Sequence, residues 1–155
     1  MELTPEQDKA YNKATFICSR SEKCTSEIIE KLRLWGLSEE ESGFVIQKLI
    51  SEKYIDDERF ARAYVKDKYR FNHWGRQKIE FMLRSKKISP EILEQAFEEI
   101  EEERYSEGLC KLIADKARSV KAKDPYEKRN KLMRFALGRG FESNKVYAAF
   151  KELGL

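Results

Sequence analysis

The feature that most constrains this chain is a threefold recurrence of apolar positions, separated first by 51 and then by 53 residues. Ile28, Ile79 and Leu132 correspond, as do Leu37, Ile88 and Phe141; Ile46, Phe97 and Phe150; and Leu49, Ile100 and Leu153. A turn recurs with them, as Trp35-Gly36-Leu37, Lys87-Ile88 and Gly140-Phe141. Four apolar columns kept across three copies mark a repeat architecture, in which a small unit buries its apolar face by stacking on its neighbours.

Each unit is predicted to be helical. Apolar residues fall at spacings of three and four in Ala10, Ala14, Ile17 and Cys18, in Ala61, Tyr64, Val65 and Tyr69, in Ile79, Met82 and Leu83, and in Leu109, Leu112, Ile113 and Val120. No comparable segment alternates with the period of a strand. The three prolines follow Thr4, Ser89 and Asp124, residues that cap helices, and proline suits the first helical position because its missing N–H is unpaired there anyway. Ser38-Glu39-Glu40-Glu41 reads as a capping box, and Asp56-Asp57-Glu58 sets negative charge at a helix start. Helices are therefore expected over 5–19, 26–35, 38–52, 57–72, 76–86, 90–101, 103–120, 125–138 and 142–153. The expected fold is all-α: a tandem array of three three-helix repeats, over residues 1–55, 56–101 and 102–155, forming an elongated, curved body.

Charged residues make up 38% of the chain, against about 25% in an average globular protein. Much of every helix must therefore face water, and no run of about 18 apolar residues exists to cross a membrane. The first residues, Met1-Glu2-Leu3-Thr4-Pro5-Glu6, lack the basic and apolar regions of a signal peptide, so the cytoplasm is the expected compartment. Cys18, Cys24 and Cys110 form no CxxC pair and have one histidine, His73, to assist them, which argues against a zinc site or a disulfide framework. There is no GxxxxGK[ST] phosphate loop, no glycine-rich dinucleotide fingerprint and no HExxH pair. No catalytic residue, metal or cofactor is expected. His73 is read as meeting carbonyls at a helix end, Cys18 as a buried inert thiol, and Asp56 and Asp57 as caps.

Charge is segregated along the chain. Residues 1–58 hold 8 basic and 13 acidic groups, residues 59–90 hold 10 and 2, residues 91–107 hold 1 and 8, and residues 108–139 hold 10 and 3. Arg59, Arg62, Lys66 and Arg70 form one helical ridge beside the apolar stripe, which Lys78, Arg84 and Lys86 continue. Lys128, Lys131 and Arg134 form a similar ridge in the third unit. Such surfaces can neutralise phosphates or meet an acidic protein face, so these ten residues are the candidate partner-binding set. Phe81, off the apolar stripe of its helix, is assigned to packing between units, and Glu98-Glu99-Ile100-Glu101-Glu102-Glu103 to a solvated connection.

The stretch Tyr54-Ile55-Asp56-Asp57-Glu58-Arg59-Phe60-Ala61-Arg62-Ala63-Tyr64-Val65 resembles the signature of the RecX family, bacterial regulators of the RecA recombinase. Gly75, Ile79, Leu83 and the run from Leu132 through Arg139-Gly140-Phe141 are similar to the family pattern as well. The resemblance covers the second and third units well and the first loosely. Lys87 departs from it, standing where the family usually turns with glycine. Tyr54, Asp56, Asp57 and Phe60 then read as a structural signature at the junction between units.

What the resemblance implies is a non-enzymatic protein that binds the RecA-DNA filament and lowers its ATPase, strand-exchange and co-protease activities, with possible contact to single-stranded DNA in the filament; a monomer is the default expectation for its oligomeric state. A non-specific single-strand-binding helical protein is the alternative. A helix-turn-helix transcription factor fits less well, because third helices opening Ser38-Glu39-Glu40-Glu41 and Ser89-Pro90-Glu91 would repel phosphate, leaving only the helix with Asn144 and Lys145.

Overall fold

The computed structural model describes residues 2–155, and among them there are nine α-helices and no strand. The first unit holds α1 (Pro5–Arg20), α2 (Thr25–Leu34) and α3 (Glu39–Ser51). The second holds α4 (Asp57–Arg70), α5 (Arg76–Ser85) and α6 (Pro90–Ala96), the third α7 (Glu102–Ser119), α8 (Pro125–Gly138) and α9 (Ser143–Leu153). The cap residues act as the sequence implies. Thr4 and Ser38 close reciprocal capping boxes with Gln7 and Glu41, while Asp56, Ser89 and Asp124 accept bonds from the backbone N–H of Arg59, Ile92 and Glu127.

The sixth helix is shorter than its periodicity suggests. It stops at Ala96 and tightens into a 3-10 turn, Phe97–Glu99, after which Ile100 is extended. This tightening carries Ile100 into the core and turns Glu99 back toward α4.

Two apolar cores form. Ala10, Tyr11, Ala14, Ile28, Leu32, Val45, Ile46, Leu49 and Ile55 fill the first unit. The second and third units share one continuous core that runs from Phe60 to Phe150 and takes in Cys24 from the start of α2. The accessible surface is 10084 Å², against about 8,200 Å² for a compact monomer of this mass. The body is therefore elongated.

The turn between the second and third helix of each unit has one geometry. Gly36, Lys87 and Gly140 lie at φ 91°, 60° and 96°, in the left-handed region. Each amide bonds back three residues, and the following amides of Leu37, Ile88 and Phe141 bond to the carbonyls of Leu32, Leu83 and Ala136. Lys87 thus adopts the conformation that glycine adopts in its sister turns, at the steric cost that a Cβ brings there.

These turns are also where units join. The start of α5 docks on the turn between α8 and α9: Gly75 N–H donates to Arg139 O at 2.7 Å and Gln77 N–H to Gly140 O at 2.9 Å. The start of α2 docks in the same register on the turn after α5, but through side chains. Ser26 Oγ donates to Lys86 O at 2.6 Å, and Cys24 Sγ lies 4.0 Å from that oxygen.

Two smaller expectations fail. Phe81 is 70% exposed and packs between no units, because α5 turns its Ile79 and Leu83 side inward. His73 is exposed at φ 56°, and the carbonyls it was expected to meet at the end of α4 are taken by backbone, Asp67 O by Phe71 N–H and Lys68 O by Trp74 N–H.

Candidate partner-binding surface

The amphipathic spacing of α4 buries Phe60, Ala61 and Val65 and leaves Arg59, Lys66 and Arg70 outward, with Arg62 half-buried. The ridge is a real line of cations, but its first members are already paired. Arg59 Nε meets both carboxylate oxygens of Glu22 at 2.9 Å, and its other nitrogens donate to Lys53 O and Tyr54 O. It clasps the end of the first unit. Arg62 reaches Glu99 at 3.1 Å, Glu98 at 3.8 Å and Glu58 at 4.0 Å, and Lys66 lies 3.9 Å from Glu99. Arg70 has no carboxylate within 4.0 Å among the described residues.

The acidic stretch from Glu98 to Glu103 is therefore more than a solvated connection: Glu98 and Glu99 quench part of the ridge, and Glu102 holds Arg76 and Lys145. Sequence alone hides this, because Arg62 and Glu99 are 37 residues apart and meet only once the 3-10 turn folds the chain back.

Of the other predicted cations, Arg84 pairs with Glu80 on its own helix at 2.8 Å. Lys86 pairs with Glu27 at 3.0 Å across the junction of the first two units. Burial pushes the Lys86 pKa down, but the hydrogen bond and charge of Glu27 outweigh it, and the net shift is upward. For Glu27 burial acts upward and is outweighed by the Cys24 N–H and Lys86, leaving it below the ordinary carboxylate value. Lys131 pairs with Glu127 at 3.0 Å and also donates to Lys121 O. Lys78, Lys128 and Arg134 have no carboxylate partner among the described residues; Lys78 lies over the Trp74 ring at 4.5 Å. The ten residues thus divide into paired and unpaired sets and do not form one surface of free charge.

The signature residues sit where the units meet. Tyr54 packs edge-on against Tyr11 of the first unit at 6.3 Å. Asp56 caps α4, and Asp57 accepts from Thr25 N–H at 2.8 Å and from Thr25 Oγ at 3.0 Å, holding the start of α2. Phe60 lies in the core of the later units, tilted against Tyr64 at 5.9 Å.

One residue that sequence reasoning did not single out is Arg76. Its guanidinium stacks 4.0 Å over the buried Tyr105 ring and bridges Glu102 and, at 3.3 Å, Glu142. Tyr105 Oη accepts from Arg76 N–H at 3.0 Å and donates to Glu142. A lone arginine at a helix start carries no sequence signal for such a role.

Among the described residues no group of three His, Cys, Asp or Glu side chains is arranged to hold a metal, all three cysteines are free thiols, and no helix is long and apolar enough to cross a membrane.

Comparison with known proteins bears on the family to which the chain belongs. The family model described as RecX, second three-helix domain, matches residues 56–96, and that described as RecX, third three-helix domain, matches residues 102–150. A regulatory protein RecX from Prosthecochloris aestuarii is 30% identical over 94% of this chain and 93% of its own length. One from Clostridium botulinum is 30% identical over 86% of this chain, which spans 63% of that relative's length. The crystal structure of RecX from Lactobacillus salivarius superposes with a TM-score of 0.88 at 26% identity, over 96% of this chain and 97% of that one. A second RecX crystal structure, at a TM-score of 0.85 and 26% identity, covers 95% of this chain and 72% of its own. With two three-helix family models matching residues 56–96 and 102–150 and a relative 30% identical over 94% of this chain, the chain belongs to the RecX family of regulatory proteins.

Proposed function

We propose that this chain binds the RecA-DNA filament as a monomer in the cytoplasm and lowers RecA's ATPase, strand-exchange and co-protease activities, without catalysis or a cofactor of its own. The observation that carries this reading is family membership over the whole repeat body, the relatives being regulatory proteins. The fold supports it physically. An elongated stack of small units offers a long surface to a helical filament, on which it can span neighbouring protomers. Arg70, Lys78, Lys128 and Arg134 supply charge for an acidic protein face or for phosphate.

The test is fluorescence anisotropy of labelled single-stranded DNA, bare and coated with RecA plus a slowly hydrolysed ATP analogue, titrated with this protein at matched near-physiological salt. Tighter saturable binding to the coated strand, followed by inhibition of RecA ATPase, is the expected result. Equal or tighter binding to bare DNA would favour the alternative, a non-specific single-strand-binding protein.

A further inference from the structure

The unpaired cations do not lie at random. Beyond the paired part of the ridge, Lys68 and Lys78 both cover the half-buried Trp74 ring, at 5.1 and 4.5 Å from its centroid. The backbone of Lys78 abuts Gly140, so this cluster runs directly onto the turn of the third unit. There Arg139 donates to Asn72 O at 2.8 Å and lies 5.3 Å over the Phe135 ring, whose centroid is 5.1 Å from Lys116. Arg70 and the 78% exposed Phe71 flank the cluster at the end of α4. Lys68, Arg70, Lys78, Lys116 and Arg139 are each without a carboxylate within 4.0 Å among the described residues.

We infer that this strip across the junction of the second and third units is a binding surface for single-stranded DNA. The inference deepens the proposed function and rests on it for its biological setting, but its chemistry stands apart from RecA. Cations without a carboxylate partner attract phosphates, whereas Arg62 and Lys66 already spend their charge on Glu98 and Glu99. Aromatic rings among the cations suit a single strand: the 78% exposed Phe71 is open to its unstacked bases, and the lysines over Trp74 uncover that ring as their ammonium groups turn to phosphate. A duplex keeps its bases stacked and would use the cations alone. The junction beneath is held backbone to backbone, so the strip is a rigid platform.

The experiment uses the full chain and a bare, labelled oligothymidylate, with affinity measured over a salt series. Replacing Lys68, Lys78 and Lys116 by glutamine, K68Q/K78Q/K116Q, is expected to lower the slope of log affinity against log salt by about 2, at about 0.7 per phosphate contact for a single strand. The control K9Q/K31Q/K151Q removes as much charge from exposed helical positions elsewhere and is expected to leave the slope unchanged. Equal loss in both variants would mean diffuse attraction and overturn the strip. A second readout uses Trp35→Phe, which leaves Trp74 as the lone tryptophan. Its emission should be quenched as the strand saturates the protein, and binding without any change in Trp74 emission would overturn the assignment, as would equal affinity per phosphate for duplex DNA. Because RecA is absent, these outcomes are read independently of whether the chain inhibits the filament.

Discussion

Gly75→Ala isolates the energy of one joint in this molecule. Gly75 has φ −81° and ψ 171°, a region that alanine occupies freely, so no backbone strain is introduced. By that criterion alone the change should stabilise the protein by about 0.4–1 kcal/mol, by restricting the unfolded chain. The folded state reverses the sign. A Cβ at this position would stand 2.4 Å from Gly140 C and O and 2.5 Å from Phe141 N, all backbone atoms that cannot swing aside. Relief requires the start of α5 to retreat from the third unit, which loosens the bonds from Gly75 N–H to Arg139 O and from Gln77 N–H to Gly140 O. Two such bonds are worth about 1 kcal/mol each, and overpacking costs about 1–3 kcal/mol more. A net loss of about 2–4 kcal/mol is expected, a large share of the 5–15 kcal/mol that holds a typical domain. Urea unfolding followed by circular dichroism reads it directly, with Gly138→Ala as the comparison, since that helical position opens onto free space and should gain about 0.5–1 kcal/mol. A Gly75→Ala protein within 0.5 kcal/mol of wild type, about the scatter of a neutral surface change, would refute the close joint.

Three further outcomes follow from the same structure. Lys87→Gly removes a Cβ from the left-handed turn but frees the unfolded chain, so stability should rise by up to about 1 kcal/mol; a loss of that size on urea titration would show that the Lys87 side chain does more than occupy the turn. Burial, and then its hydrogen bond to Glu142, push the Tyr105 hydroxyl far above its ordinary value. Above about pH 10 the unfolded chain therefore releases a proton that the folded chain keeps. Stability should fall with rising pH by at most about 1.4 kcal/mol per unit from this group, and Tyr105→Phe should flatten that slope while losing about 1–3 kcal/mol at neutral pH. Reversing Arg62, Lys66 and Arg70 to glutamate should weaken filament binding with helicity intact by circular dichroism, Arg70 contributing most because Arg62 and Lys66 are paired; undiminished inhibition of RecA ATPase would remove the ridge from the binding surface.

Helix positions and turns were legible in the sequence because both are local. Ser89 before Pro90 or Asp56 three residues before Arg59 decides a cap within one turn, and the apolar columns need only the helical period. The third-column residues show where such reading stops: Phe97 aligns with Ile46 and Phe150, yet it lies in a 3-10 turn, which brings Glu98 and Glu99 back to Arg62 on α4. The candidate surface was half legible for the same reason. A row of cations along α4 can be read from spacing, but whether each is free depends on carboxylates about 40 residues away. Trp74, Arg139 and Lys116 were passed over because they share no helix, and the joint between units brings them together.

The two joints also differ in kind, and this sets how the molecule opens. Between the second and third units the core is continuous through Tyr105 and Phe141, and backbone amides meet backbone carbonyls directly. Between the first and second units the equivalent docking runs through Ser26 Oγ, the Lys86–Glu27 pair, Asp57 on Thr25 and Arg59 on Glu22, groups that water and salt can replace. The position equivalent to Gly75 is Cys24, whose side chain fits because its turn is reached through side chains at longer range. Among the described residues Cys24 is the sole core residue that crosses this joint, and the first unit otherwise closes a separate core of nine buried residues against eighteen from the other two units. Burial on that scale makes the first unit the weaker cooperative element. Native-state hydrogen exchange should show the slowest amides of α1–α3 opening at a lower free energy than those of α4–α9, with the gap widening as salt rises and the ion pairs at the joint are screened. One common opening free energy for all nine helices would mean instead that the polar joint transmits cooperativity as fully as the shared core does.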